Sequence, residues 1–308
     1  MRIARHGWSS PPETAIAVGS FDGVHRGHQS ILRQVVDEAR ARNVSAAVLT
    51  FEPLPREFFG PARAPARLTS LAERLALLAQ FGIDIAFVER FDARFAALTA
   101  DEFARRLKAR YGAHWVMVGH DFRYGAKRMG DVDHLRESGL REGFEVEVLD
   151  PVMLGPDRIS STRVREDLWR GDFDAAAELL GRRYAICGRV VHGAKRGKAL
   201  GFPTANVRLA RPRPPVQGIF AVKCLGAATR GLEGVASLGF NPAVQQGGPA
   251  TLEAFLFDFS GDLYGRRISI EFLKKLRDEA HFASLDELAA QISRDCDAAR
   301  AFFAARER

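Results

Sequence analysis

Cysteine is scarce in this chain. Cys187, Cys224 and Cys296 are the only three in 308 residues, widely spaced and without a Cys-x-x-Cys pair. They read as small buried residues, not as a disulfide framework or a thiolate metal site. No apolar run approaches the ~20 residues that a bilayer-spanning helix needs. The first residues, Met1 to Gly7, lack the apolar core of a signal peptide. Cytoplasmic residence is the expectation, with no membrane partner. Internal repeats and long low-complexity segments are missing too. The basic run Arg211-Pro212-Arg213-Pro214-Pro215 has no interleaved aromatics. It reads as a Pro-rich loop, so no nucleic-acid partner is expected. Acidic residues are outnumbered, 38 against 45 basic, and the net charge of +7 suits anionic small molecules.

What is present is a chain long enough for two domains. From Ala15 to Leu149, short apolar runs alternate with helical patterns. Expected strands are 15–18, 46–51, 83–88, 115–118 and 145–149. Expected helices are 28–42, 71–81, 101–110 and 132–142. Ser70 with Glu73, and Thr99 with Glu102, form capping boxes at two helix starts. Such alternation predicts a doubly wound parallel sheet, with ligands beyond the carboxyl ends of its strands. Two short helices, 163–170 and 173–180, follow. After Gly181 the pattern changes to short strands at 184–191, 202–207, 218–225, 235–238, 252–257 and 267–272, separated by Gly, Pro and Asn. That predicts a small antiparallel β-barrel. A terminal helix, 285–304, has Ser284 and Glu287 as its capping box. The expected domains are therefore 1–181 and 182–308, and the fold class is mixed α/β.

The most informative segment is Gly19-Ser20-Phe21-Asp22-Gly23-Val24-His25-Arg26-Gly27-His28. It joins the first apolar run to the first amphipathic helix. The entrance of a helix offers backbone N–H groups and the positive end of the dipole to an anion. His25 and His28 can donate to phosphate oxygens there, and glycines let a triphosphate approach the backbone. On its own, His-x-Gly-His is a tight turn; after a strand and Phe-Asp-Gly it reads as nucleotide binding.

This segment resembles the signature of the bacterial bifunctional riboflavin kinase/FAD synthetase family. Three further stretches bear on the resemblance. Gly119-His120-Asp121-Phe122-Arg123-Tyr124-Gly125 is similar to the family's Gly-x-Asp-Phe-x-Phe-Gly, with Tyr124 in place of a usual Phe. The resemblance implies that Asp121 serves the nucleotide and that Phe122 and Tyr124 serve the flavin. Ile159-Ser160-Ser161-Thr162-Arg163-Val164-Arg165 resembles the superfamily's Ile-Ser-Ser-Thr-x-x-Arg. Ser161 alone would read as an N-cap. The resemblance makes Ser160, Ser161 and Thr162 ATP contacts and Arg165 a clamp on the triphosphate. In Thr50-Phe51-Glu52-Pro53-Leu54-Pro55 the family often has His where this chain has Leu54. Leu cannot hydrogen-bond a ligand, so this loop receives no catalytic role. The implied reaction is adenylyl transfer from ATP to FMN with release of pyrophosphate. ATP contacts would be Gly19, Phe21, Asp22, Gly23, His25, His28 and Asp121 with Ser160, Ser161, Thr162 and Arg165. His25, His28 and Arg165 would stabilise the transition state, with Mg²⁺ on the phosphates.

In the second domain Gly188-Arg189-Val190-Val191-His192-Gly193 leads into Lys195-Arg196-Gly197-Lys198-Ala199-Leu200-Gly201-Phe202-Pro203-Thr204-Ala205-Asn206. On an extended strand Thr204 and Asn206 share a face. Their neutral oxygens suit a hard Mg²⁺ that carries ATP phosphates. Gly-Phe-Pro-Thr-Ala-Asn resembles the riboflavin kinase signature, which places ATP at Gly193, Lys198, Gly201, Thr204 and Asn206. Glu253 aligns with the family's catalytic Glu, the base for the ribityl 5′-hydroxyl. Arg277, Glu279 and Phe282 resemble the loop that closes on flavin. Two positions depart from the pattern: Phe255 stands where the family usually has His, and Ala243 where it has Thr.

The resemblance covers nearly the whole chain and implies a transferase that makes FMN from riboflavin and then FAD. Riboflavin, FMN and ATP are its expected partners, and Mg²⁺ its cofactor. Two alternatives stay open: one live activity of the two, or a flavin- or nucleotide-binding regulator with dead sites. The sequence leaves oligomeric state open.

Overall fold

The structure, a computed structural model, describes residues 1–5, 7–193, 201–211, 213–226, 231–240 and 250–306. The chain divides into two compact units, Met1–Pro65 with Leu71–Ser160, and Ala66–Ser70 with Ser161–Arg308.

The first unit runs β1 (Arg2–Arg5), β2 (Thr14–Val18), α1 (Arg26–Ala41), β3 (Ser45–Glu52), α2 (Pro55–Phe59), α3 (Leu71–Gln80), β4 (Ile85–Arg90), α4 (Ala93–Ala96), α5 (Ala100–Tyr111), β5 (Ala113–Gly119), α6 (Val132–Glu142) and β6 (Glu145–Leu149). A two-stranded ribbon, β7 (Met153–Leu154) with β8 (Asp157–Arg158), follows. The six-stranded sheet has the order β1-β4-β3-β2-β5-β6, and all its pairs are parallel. Helices cover both faces, which is why every residue of β2 is buried and Ala15–Val18 is a continuous apolar run. Ile16 and Val18 pack with Phe103, Leu107 and Leu135 from α5 and α6. Ala15 and Ala17 pack with Leu32, Val35 and Leu78 from α1 and α3. From β2 the chain winds outward through β3 and β4, then crosses to β5 and β6 on the other side. The order reverses beside β2, and such a switch point opens a crevice at the strands' carboxyl ends.

The second unit contains α7 (Ser161–Arg170), α8 (Phe173–Leu180), β9 (Ala185–Val191), β10 (Thr204–Val207), β11 (Gly218–Leu225), β12 (Leu232–Phe240), β13 (Ala250–Leu256), β14 (Arg267–Arg277) and α9 (Leu285–Arg306). The strands close an antiparallel barrel in the order β10-β13-β12-β11-β14-β9. Phe173 of α8 is buried with its ring 5.7 Å from Phe220 and 6.1 Å from Phe272. On another side, Cys296, Ala299 and Phe303 of α9 cover Ile219, Val235 and Phe257. Residues 66–70 are held in this unit by buried Arg211, whose Nη1 donates to the Leu68 carbonyl at 2.5 Å.

The expected mixed α/β class, parallel sheet, barrel and terminal helix are borne out. Bounds coincide for α6, α8, β6 and β11 and elsewhere shift by a few residues. β1, α2, α4 and the β7–β8 ribbon are not expected from sequence, and α1 begins at Arg26, earlier than the expected His28. No helix of the described residues is long and apolar enough to cross a membrane.

Candidate active sites

In the first unit β2 delivers the chain into a loop whose backbone bends sharply. Phe21 and Val24 have φ of 48° and 42°, and Gly23 has 86°. The loop is pinned from beneath: Gln29 Nε2 donates to the Val24 carbonyl at 2.9 Å, and fully buried Arg74 donates to the Ser20 carbonyl at 2.7 Å. Phe21, Asp22, Val24 and His25 are all buried. A side-chain-capped helix normally begins with Ser, Thr, Asp or Asn. Here His25 is the N-cap, its Nδ1 accepting from the His28 backbone N–H at 3.3 Å. An Nδ1 that accepts puts the proton of the neutral imidazole on Nε2, where it is a donor. The two histidine rings stack at 3.7 Å and 17°, and Phe21 lies 5.3 Å from His28. Gly27 makes room for this arrangement: a Cβ there would sit 3.2 Å from the His25 ring. The site thus combines a helix N-terminus with two aligned imidazoles, a fit for phosphate oxygens.

β5 is the parallel neighbour of β2, so the loop after Gly119 emerges at the same sheet edge as the His25 loop. Phe122 N donates to the Gly119 carbonyl at 3.0 Å and closes a turn. Asp121 pairs with Arg158 at 3.0 Å, and that guanidinium holds its carboxyl below the usual carboxylate range. Phe122 and Tyr124 stack at 5.4 Å and 19°. Phe122 is half-buried, whereas Tyr124 is buried behind it, 5.1 Å from Phe103. Leu54 is buried too and serves as the N-cap residue of α2, in keeping with the absence of a polar role.

Ser160 ends the first unit, while Ser161, Thr162 and Arg165 belong to the first helix of the second. α7 starts at Ser161, so Ser160 takes the position before the helix. Arg165 Nε donates to the Ala66 carbonyl at 2.5 Å.

In the barrel the strand register assembles a second set. Asn206 on β10 faces Glu253 on β13, and Thr204 faces Phe255. Alternation leaves Glu253 and Phe255 on the outer face, while Leu252, Ala254 and Leu256 are buried. Thr204 Oγ1 donates to Glu253 Oε2 at 3.1 Å. A hydroxyl that donates to a carboxylate keeps its oxygen lone pairs for a cation. Gly193 lies directly against the Asn206 amide, so that a Cβ there would overlap it. Phe255 meets Phe202 edge to face at 5.5 Å. Of the ATP-loop expectations, Gly201 is exposed with φ 87°, and Lys198 lies outside the described residues, as does Ala243.

The segment after β14 is tied to α9. Arg277 makes a two-pronged contact with buried Asp295, at 2.8 and 2.7 Å, and its guanidinium lies 5.8 Å from the Phe282 ring. Glu279 accepts from Gln217 at 2.8 Å. Glu279 also rests on the backbone of Gly239. Asp295 and Arg74, both structural anchors of these loops, were not singled out by sequence. A lone buried charge has no periodicity or motif to announce it. Among the described residues no group of three or more His, Cys, Asp or Glu could hold a metal ion.

The chain matches a family model described as FAD synthetase over residues 8–163 and one described as riboflavin kinase over residues 180–303. It is 46% identical over 308 residues to a bifunctional riboflavin kinase/FMN adenylyltransferase of Escherichia coli (strain K12), covering 98% of each chain. Identity to the protein of that name from Pseudomonas fluorescens is 45% over 288 residues, covering 93% of this chain and 92% of the relative. A crystal structure described as a macrolide-efflux protein from Streptococcus pneumoniae aligns with a TM-score of 0.78 at 30% identity, covering 95% of this chain and 97% of that one.

Proposed function

Because the chain belongs to the bifunctional riboflavin kinase/FMN adenylyltransferase family, and so converts riboflavin to FMN and FMN to FAD with ATP, we propose that two separate residue sets run the two reactions. The observation that carries this reading is their partition: His25 and His28 at the start of α1, and Thr204, Asn206 and Glu253 on one face of the barrel. The functional boundary is placed at Gly181, with 1–181 serving adenylyl transfer and 182–308 the kinase. The matched ranges, ending at 163 and starting at 180, support it.

In adenylyl transfer an FMN phosphate oxygen bonds to the α-phosphorus of ATP, and the bond to the β-phosphate breaks, releasing pyrophosphate. That nucleophile is already ionised, so positioning and charge neutralisation suffice. His25 offers its Nε2 proton, His28 its ring, and the start of α1 its N–H groups to the phosphates. Gly19, Phe21, Asp22 and Gly23 shape the loop. Asp121 and Ser160 are assigned to ATP, the resemblance of the segment 159–165 assigns Ser161, Thr162 and Arg165 to it from the second compact unit, and Phe122 and Tyr124 are assigned to the isoalloxazine ring.

In the kinase reaction the ribityl 5′-oxygen bonds to the γ-phosphorus and ADP leaves, while Glu253 accepts the hydroxyl proton. Thr204 and Asn206 are hard, neutral oxygen donors beside a carboxylate, a set that fits Mg²⁺ shared with ATP phosphates. When bound, the ion would neutralise charge on those phosphates. Gly193, Lys198 and Gly201 are assigned to ATP, and Arg277, Glu279 and Phe282 to flavin. Cytoplasmic residence accords with three free thiols. Incubating the pure protein with riboflavin, ATP and Mg²⁺ and separating the flavins tests the whole scheme. FMN followed by FAD is the expected outcome; absence of either product removes the matching site assignment.

A further inference from the structure

Position 124 is where the flavin loop departs from its family pattern, and the added hydroxyl has a built partner. Tyr124 is buried, its main chain bridged to Gly130 through two 3.0 Å hydrogen bonds. Its hydroxyl lies 2.7 Å from His134 Nδ1, in the first turn of α6. His134 is itself fixed, since its backbone N–H donates to the α6 cap Asp131 at 3.0 Å. The far ring nitrogen, Nε2, is 3.3 Å from Asp101 Oδ1, in the first turn of α5. Arg141 Nη2 reaches the same oxygen at 2.8 Å and Ser138 Oγ at 2.9 Å.

Burial pushes the Tyr124 phenol up to about 12, so it remains protonated near neutral pH. One pattern of protons fits these contacts. The phenol donates to Nδ1, Nε2–H donates to the Asp101 carboxylate, and Arg141 holds that carboxylate. A Phe at 124 has nothing to hold the far end of its ring, whereas a hydroxyl tethered to an imidazole fixes the direction of the ring axis. Phe122 stacks nearly parallel on that ring, with 19° between the two.

We propose that His134 and Asp101 are positioning residues for adenylyl transfer: through the Tyr124 hydroxyl they set the aromatic platform against which FMN binds. This rests on the assignment of Phe122 and Tyr124 to the flavin.

His134→Leu removes the partner 2.7 Å from the hydroxyl, so KM for FMN is expected to rise about five- to tenfold. KM for ATP and the riboflavin kinase rate of the same preparation should hold, which a general folding defect would not allow. Removing both partners is far less costly than removing one. The double variant Tyr124→Phe/His134→Leu should therefore bind FMN more tightly than His134→Leu and, lacking the tether, less tightly than wild type. Unchanged KM for FMN in His134→Leu would overturn the proposal, as would a double variant restored to the wild-type KM, which would trace the loss to the unsatisfied hydroxyl alone. If His134→Leu does not fold, the double variant alone decides. An FMN KM raised about threefold or more, with KM for ATP unchanged, supports the tether, and a KM equal to that of wild type overturns it. Phe122→Ala separates the premise from the inference. If it binds FMN normally, the flavin assignment itself fails. If it loses FMN while His134→Leu does not, only the tether fails.

Discussion

Two side chains make the sharpest tests, because each lies among the residues assigned to a single reaction. His28 stacks on the capping His25 and lies in the helix entrance. His28→Ala is expected to stop FAD formation and to leave FMN formation nearly normal, measured as two half-reactions on one preparation. Equal loss of both in a folded protein would contradict separate sites. Glu253 holds a hydrogen bond from Thr204 and faces Asn206 across the ladder. Gln keeps the shape and cannot accept the proton, so Glu253→Gln should lower the kinase rate on the order of 10²–10⁴-fold. FAD formation from supplied FMN should not change. Retained kinase activity would make Glu253 an ordinary outer-face strand residue, although Phe255, where His is usual, leaves its neighbour in place.

At the scale of elements, glycine decides what the strands and helices can carry. Gly193 precedes β10 and its Cα lies against the Asn206 amide. Gly193→Ala would push that amide off the face it shares with Thr204. Overpacking of this kind costs about 1–3 kcal/mol, so the kinase should weaken about tenfold or more while adenylyl transfer continues. Normal kinetics would show that Asn206 has no fixed place. The elements themselves were largely legible. Continuous apolar runs gave β2 and β3, and apolar spacing gave α1 through Leu32, Val35 and Ala39. β1 was not legible, because an edge strand written Arg-Ile-Ala-Arg buries only Ala4 and shows no alternation. α1 was placed too late because a histidine cap carries none of the usual Ser, Thr, Asp or Asn signal. The motif residues of the candidate sites were readable as motifs. Their supports, Arg74 under the His25 loop and Asp295 behind Arg277, act through tertiary contacts that no spacing reveals.

For the molecule as a whole, strand order and unit membership are set by pairings between distant segments. The closure of β9 on β10 and β14 follows from such pairings, as does the inclusion of residues 66–70 in the second unit. Neither is written in local sequence. Composition changes at Gly181, and that change marks where the barrel strands begin. It does not mark where the barrel's packing begins. Phe173, Leu179 and Leu180 of α8 are buried, and the Phe173 ring lies against Phe220 and Phe272. A fragment that starts at Gly181 exposes that part of the barrel to water. Loss of one such buried Phe costs about 3–5 kcal/mol, a large share of the roughly 5–15 kcal/mol that holds a domain together. A fragment of residues 161–308 should therefore melt at a clearly higher temperature than one of residues 181–308 and retain more riboflavin kinase activity. Phe173→Ala in the full chain should lower kinase stability in the same direction. Equal melting temperatures for the two fragments would show that α8 only rests on the barrel and that the unit is complete from Gly181 onward.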